Sequence, residues 1–223
     1  MPDTQTGSQH LLGFIPARSG SRRLPNKNIR EFGGSSLVEL GIESALRAKS
    51  LSHVAFSTDC QSYLELAQGA GLKESYLRPK HLAGDDVQLS DCVLHYLDWA
   101  QERGLPRFSH VVLLQPTSPF RTKDGIEAAI SEWRRSGKTS LVSVSRIAPR
   151  RELIIHRDED SGLIINTNEL GNYSTYVLDG SIYISSINDL IRTGKFWNAD
   201  SAIFISNLIR YFDIDTFEEF QVA

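Results

Sequence analysis

The chain predicts an α/β domain with a mainly parallel sheet covered by helices on both faces. Two patterns carry that prediction. Short apolar runs alternate with longer stretches of helical period, and the short runs are apolar throughout, as in strands buried on both sides. The third observation is composition: 223 residues, 40% hydrophobic and 23% charged, which is globular rather than disordered. At about 150 residues per domain, this length gives one large domain, or one domain with a sizeable insertion. It is also long enough to bury a core without disulfides or a structural metal.

The elements follow in order. Leu11–Ile15 is a buried strand. Ser36–Lys49 is a helix, opened by a capping box of Ser36 with Glu39, with Leu37, Ile42 and Leu46 on one face. His53–Ser57 is a second strand and Gln61–Ala70 a helix. Val87–Arg103 is helical, with Val93, Leu94, Leu97 and Ala100 on one side. Val111–Leu114 is a strand, Lys123–Arg135 a helix and Leu141–Val144 a strand. Arg146–Leu178 breaks the rhythm with charge, Asn and Gly, and with short β-like pieces at Leu153–His156, Leu163–Ile165 and Ser174–Val177. It reads as an inserted β-rich arm. Ser181–Ile184 returns to the sheet, Ile187–Thr193 is a helix, and Ala202–Ile205 is a strand. Thr216 with Glu219 forms a second capping box. The domain therefore spans 11–145 and 179–223, with the arm at 146–178.

The formal charge of −3 excludes a strongly basic nucleic-acid binder in bulk, though not a local basic site. No run approaches the roughly 18 apolar residues of a membrane span. Residues 1–10 are polar, without the apolar core of a signal peptide, and read as a flexible terminus. No further catalytic domain is expected beyond Ala223. Cys60 and Cys92 have no metal-site spacing and read as two buried thiols in a reducing cytosol, so a cytoplasmic location is expected.

The first chemically informative stretch is Pro16–Arg30, PARSGSRRLPNKNIR, directly after the first strand. It holds Arg18, Arg22, Arg23, Lys27 and Arg30 in a chain that is net acidic. Ligands of a parallel α/β fold bind at the carboxyl ends of the strands, where this loop must lie. Gly20 and the serines let backbone approach an anion, Arg grips phosphate in a fork, and Lys acts as a point charge. The chemistry suggested is triphosphate binding; the alternative is a solvated basic loop. Neither GxGxxG nor GxxxxGK[ST] is present, which disfavours a dehydrogenase or a P-loop enzyme.

The second stretch is FDIDT, Phe212–Thr216. In an extended segment Asp213 and Asp215 point to one side, and two such carboxylates can hold Mg²⁺ together with phosphate oxygens and water. The competing reading has one Asp capping the last helix and the other solvated. Gln115, Thr117 and Ser118 follow an apolar strand in a stretch that is either ligand edge or simple turn. Thr58 or Asp59 is a candidate cap for the next helix. Leu77–Asp86 is a loop carrying Arg78 and the pair Asp85 and Asp86. Lys195–Trp197 is either a platform for a sugar or ordinary aromatic packing. The six histidines show no triad-like context.

Taken in order, PARSGSRRLPNKNIR, LRPKHLA, LLQPTSPFRT, DGSIYI and FDIDT resemble the CMP-sialic acid synthetases, the acylneuraminate cytidylyltransferases, from about Leu11 to Phe220. The resemblance implies a Rossmann-like nucleotide-diphospho-sugar transferase fold whose arm swaps across a homodimer. It implies joining of CTP to a nine-carbon α-keto acid sugar with release of pyrophosphate. CTP would be bound by Ala17, Arg18, Ser21, Arg22, Lys27, Asn28, Arg78 and Ser90. The sugar would meet Gln115, Thr117, Tyr183, Phe196 and Trp197. Asp213 and Asp215 would hold Mg²⁺, or Mn²⁺. Arg18, Arg22 and Lys27 would stabilise the transition state, and Asp215 or a metal-held hydroxide would take the proton. Nucleic acid and membrane are not expected partners.

Three departures from the family pattern bear on the substrate. Val177 stands where an arginine helps form the sugar site, Asp179 replaces an asparagine, and Leu89 stands at a serine position with Ser90 one place later. An added Asp179 would repel a carboxylate unless it pairs with a cation. That points to a relative of sialic acid, of legionaminic or pseudaminic type. A CMP-Kdo synthetase and a non-catalytic binding homologue are the alternatives.

Overall fold

A computed structural model describes residues 10–146, 156–157, 164–165, 176–206 and 213–223. Ten strands run β1 Leu11–Pro16, β2 Glu31–Phe32, β3 Ser35–Ser36, β4 His53–Ser57, β5 His110–Leu113, β6 Ser140–Arg146, β7 His156–Arg157, β8 Ile164–Ile165, β9 Tyr176–Ser186 and β10 Ala202–Ile205. The helices are α1 Leu37–Leu46, α2 Gln61–Gly69, α3 Leu89–Glu102, α4 Lys123–Ser136, α5 Ile187–Thr193 and α6 Phe217–Val222.

The main sheet has six strands in the order β10-β6-β9-β5-β1-β4. β1 pairs parallel with β4 and β5, and β10 parallel with β6. β9 runs antiparallel to both β5 and β6, so five strands share one direction and one central strand runs counter. The mainly parallel sheet expected from the sequence is found, with this one reversal. β9 also begins at Tyr176, inside the expected arm, so sheet pairing crosses the boundary drawn at 178/179. Of the expected arm pieces, β7 and β8 form an antiparallel pair; the remainder of 147–175 lies outside the described residues.

Strand alternation divides the core in two. Leu11 and Ile15 face one side, where Val38 and Ile42 of α1, Leu64 and Ala67 of α2, and Ile126 and Ile130 of α4 cover them. Leu12 and Phe14 face the other, under Val93 and Tyr96 of α3 and Ile187 and Leu190 of α5. Both expected capping boxes are present: Ser36 accepts from the Glu39 N–H at 3.2 Å while Glu39 accepts from the Ser36 N–H at 2.7 Å, and Thr216 pairs likewise with Glu219. Leu46 departs from the expected buried face and is 43% exposed, because α1 ends there. Among the described residues no helix is long and apolar enough to cross a membrane.

The sheet breaks its own register where β6 meets β9. Val142 lies opposite Tyr183 and Val144 opposite Leu178, so Ser143 alone faces Asp179–Ile182. Gly180 turns this bulge with φ +68°, a left-handed conformation that costs glycine nothing. A side chain there would also come within 3.6 Å of Asp213. The bulge drives Asp179 inward, with consequences for the site below.

Candidate active site

The segments after β1, α2 and β5, with Asp215 ahead of α6, meet at the carboxyl end of the sheet and enclose a cavity of about 420 Å³. Arg18, Ser21, Arg22, Arg23, Lys27, Asn28, Arg78, Gln115, Thr117 and Asp215 line it. Hydrogen bonds hold the loop in shape from outside its own sequence. Asp59 accepts from the Ser19 N–H at 2.9 Å and the Ser19 hydroxyl at 2.8 Å. The expectation that Thr58 or Asp59 caps α2 is thus corrected: Cys60 occupies that cap, with no side-chain capping hydrogen bond. Burial would raise the Asp59 pKa, but the Ser19 hydrogen bonds and the Arg78 charge outweigh it and the net shift is downward. The buried Asn28 amide donates to the Arg18 carbonyl at 3.3 Å.

Four of the five loop cations converge on two carboxylates. Asp85 accepts from Arg18 at 2.6 Å and also pairs with Arg22. Asp215 accepts from Lys27 at 2.7 Å and from Arg23 at 2.6 Å. Burial would raise the Asp215 pKa; Lys27 and Arg23 more than offset this and hold it ionised. Arg30 departs from the group and stacks over Phe217 at 5.3 Å and Phe220 at 5.6 Å. Sequence reasoning gave Arg23 and Asp85 no role. Arg23 was visible only as one of five loop charges, and Asp85 only as half of an acidic pair.

Asp213 and Asp215 do not behave as twins. Ile214 between them is buried against Leu24 and Leu37 and donates its N–H to the Thr117 carbonyl at 3.0 Å. Asp215 lines the cavity, whereas Asp213 turns toward Thr117 and Gly180. Burial pushes the Asp213 pKa up; the approach of the Thr117 hydroxyl counters this and the Asp215 charge adds to it. That approach falls short of a well-formed hydrogen bond, since Thr117 Oγ1 and Asp213 Oδ1 are both buried without a partner. No cluster of three or more His, Cys, Asp or Glu side chains occurs among the described residues. A hard cation here would draw on the two aspartates, with phosphate oxygens and water completing its shell. The orphaned Asp213 oxygen fits that use.

A second cavity of about 700 Å³ adjoins the first, sharing Val87, Leu89 and Gln115 as its wall. Tyr183, Phe196 and Trp197 line it together, with Gln88, Lys195 and Asn198. Trp197 is 45% exposed, whereas Phe196 is half-buried and packs against the core, so the stretch combines an exposed aromatic face with core packing. Thr117 lines the first cavity, apart from the other residues expected to meet the sugar, and Ser90 lines the second, apart from the others expected to bind CTP. Ala17 is buried beneath the loop, its N–H donating to the Ser57 carbonyl at 2.9 Å. Arg78 is buried in the first cavity and donates to Cys92 Sγ at 3.1 Å. Of the two cysteines expected to be buried, Cys92 is; Cys60 is only half-buried, and both are free thiols.

Asp179 lies in neither cavity. Its carboxylate accepts from the Ser143 hydroxyl, from Ser206 Oγ at 2.7 Å, from Ser145 Oγ at 3.3 Å and from the Ser181 N–H at 3.0 Å. It also faces the charge of Arg121, which is wholly buried and whose pKa is lowered by that burial to about 10. Arg121 in turn donates to the Gln115 and Ser181 carbonyls at 2.7 and 3.1 Å. Asp179 thus meets the exception that the sequence left open: it faces a cation, Arg121, and its charge is enclosed. Val177, half-buried and opposite Ser145 in the sheet, lines neither cavity.

Residues 12–179 match the family described as cytidylyltransferase. The chain is 32% identical to the CMP-N,N'-diacetyllegionaminic acid synthase of Legionella pneumophila, over 92% of this chain and 91% of that one. It is 29% identical to the N-acylneuraminate cytidylyltransferase of Escherichia coli, over 96% of this chain and 51% of that longer protein. Among solved structures, CMP:2-keto-3-deoxy-manno-octonic acid synthetase complexed with CTP superposes with a TM-score of 0.67 at 14% identity, covering 93% of this chain and 94% of the other.

Proposed function

The chain belongs to the cytidylyltransferase family, and from that premise we propose that it transfers CMP from CTP to the anomeric hydroxyl of a nonulosonic acid, releasing pyrophosphate. The observation that carries this reading is the convergence of Arg18, Arg22, Arg23 and Lys27 on carboxylate oxygens in one cavity, beside a second cavity with an aromatic floor. The first suits a triphosphate and the second a sugar acid. The legionaminic type is favoured by the Legionella relative.

The reaction is an in-line displacement. The sugar hydroxyl attacks the α-phosphorus, the bond to the bridging oxygen of the β-phosphate breaks, and pyrophosphate leaves. Arg18, Arg22 and Lys27 stabilise the charge that builds on the phosphates. Asp215, kept ionised by Lys27 and Arg23, is the candidate acceptor of the hydroxyl proton. Asp213 and Asp215 would hold Mg²⁺, or Mn²⁺, which screens the phosphates and orients them. Gln115, in the shared wall, is placed between the two substrates.

The arm at 146–178 is proposed to join two copies into a homodimer, as the family resemblance implies. A cytoplasmic location is proposed on the free thiols.

The test is pyrophosphate release from CTP and Mg²⁺ across sialic, legionaminic, pseudaminic and Kdo acids. Release with a nonulosonic acid, abolished by chelation and restored by Mg²⁺ or Mn²⁺, is the expected result. CTP binding without release from any acid would replace the reading with that of a non-catalytic binder. Sedimentation before and after deletion of the arm tests the dimer.

A further inference from the structure

We propose that Lys195 is the residue that recognises the carboxylate of the sugar acid and so selects acids from neutral sugars; this rests on the reaction proposed above. Such an acid carries its carboxylate on the same carbon as the attacking hydroxyl. When that hydroxyl faces the first cavity, the carboxylate lies at the mouth of the second. A carboxylate moved out of water without a counter-charge is costly. The first cavity is a poor place for it. Of its cations, Arg18, Arg22, Arg23 and Lys27 are already shared between Asp85 and Asp215, Arg78 lies buried beside Asp59 and Cys92, and the triphosphate claims the same groups.

In the second cavity, Lys195 is the one charged side chain among the described lining residues. β9 brings no cation there, because Val177 is uncharged and Asp179 is enclosed by serines, both outside the lining. The backbone that presents Lys195 is fixed. Gly194 ends α5 in a left-handed turn with φ 67°, donating its N–H to the Leu190 carbonyl at 2.8 Å. The Lys195 N–H donates to Thr193 Oγ1 at 3.1 Å. An anchored backbone carrying a long cationic arm, followed at once by Phe196 and Trp197, supplies one charged contact and one apolar face.

The experiment is steady-state kinetics of wild type, Lys195→Gln and Lys195→Arg with the sugar acid that wild type uses. A lost charged contact corresponds to about a tenfold to hundredfold weaker binding. Lys195→Gln should raise the sugar KM by that factor, with the KM for CTP unchanged, and Lys195→Arg should recover most of the loss. The unchanged KM for CTP also reports that the variant is folded. A carboxamide analogue of the acid, measured as a competitive inhibitor, should bind wild type and Lys195→Gln equally. A Lys195→Gln sugar KM equal to that of wild type, or a carboxamide still sensitive to the substitution, would overturn the assignment while leaving the reaction standing. Silence of wild type with every acid would overturn the reaction, and the assignment with it.

Discussion

The two cavities share Val87, Leu89 and Gln115 yet are built from opposite materials. The first is crowded with charge, and its order depends on partners remote in sequence: Arg23 meets Asp215 across 192 positions, and Lys27 meets it across 188. The second is nearly neutral, and a large part of its floor comes from one short turn after α5. The difference separates two jobs. Charge fixed by distant tethers stabilises charge that develops during reaction, and costs nothing to rearrange when reaction comes. An aromatic and amide surface binds ground state and transition state alike. Variants of the first cavity should therefore act on turnover, and variants of the second on substrate affinity.

The largest effect expected from that contrast is at Arg18. Its removal deletes a cation from the phosphate site and leaves Asp85 with the exposed Arg22 alone. Arg18→Ala should lower kcat by about a hundredfold or more, as removal of one preorganised donor does. Trp197→Ala, in the other cavity, should show itself in the sugar KM instead. Steady-state kinetics of both variants decides the matter: a near-normal kcat for Arg18→Ala would break the comparison at its strongest point.

Asp179 sharpens the same contrast, because its charge belongs to neither cavity. Asp179→Ala would strand Arg121 without its facing charge and three serine hydroxyls without their acceptor. Breaking a buried charge arrangement in this way costs about 3 kcal/mol. Urea denaturation should show that loss, while the folded fraction keeps the wild-type KM for the sugar acid. A shifted sugar KM at full stability would return Asp179 to the sugar site.

The history of Asp179 shows what the sequence made legible and what it hid. Periodicity located β4, β10 and α5 at their observed bounds, because β4 and β10 are short, mainly apolar runs and α5 is a short amphipathic stretch ended by Gly194. The cation loop was legible because five charges in a net acidic chain stand out, and because a loop after the first strand lies at the ligand edge. What stayed hidden was pairing. That Asp85 holds Arg18, or that Asp59 holds Ser19, depends on contacts that no local spacing encodes. The reversal of β9 and the bulge at Gly180 were hidden too, since an apolar run reads the same in either direction. Hence the sequence left open whether Asp179 meets a cation, and the structure encloses it facing Arg121.

A smaller effect tests whether acid acts on the fold apart from the charged cavity. His110 opens β5, at the end of the strand away from Gln115, and packs 4.4 Å from the Trp133 ring. Burial lowers its pKa from 6.5 to about 4, against a weaker upward pull from Asp189. The unfolded chain therefore takes up this proton before the folded one does. The contribution is complete above about pH 6.5 and is lost as pH falls toward 4. Allowing for partial exposure, it amounts to about 1 kcal/mol between pH 7 and pH 5. A His110→Asn variant should lose less stability than wild type over that interval in urea titrations. Equal losses would assign the acid sensitivity elsewhere.

The smallest expected effect lies at the cap of α6. Thr216 Oγ1 accepts from the Glu219 N–H at 3.2 Å, and Glu219 Oε2 accepts from the N–H groups of Thr216 at 2.8 Å and Asp215 at 2.7 Å. The cap thus fixes the backbone of the residue that Lys27 and Arg23 hold by its side chain. Thr216→Ala should cost about 1 kcal/mol, a lowering of Tm by roughly 2–4 °C for a chain of this size. Because the cap acts on the first cavity through Asp215, the kinetic consequence should be a modest fall in kcat, with Thr216→Ser behaving as wild type. If the KM for the sugar acid rose instead, the two cavities would be coupled through this segment, and the division of labour between them would fail where it is most sensitive to a small displacement.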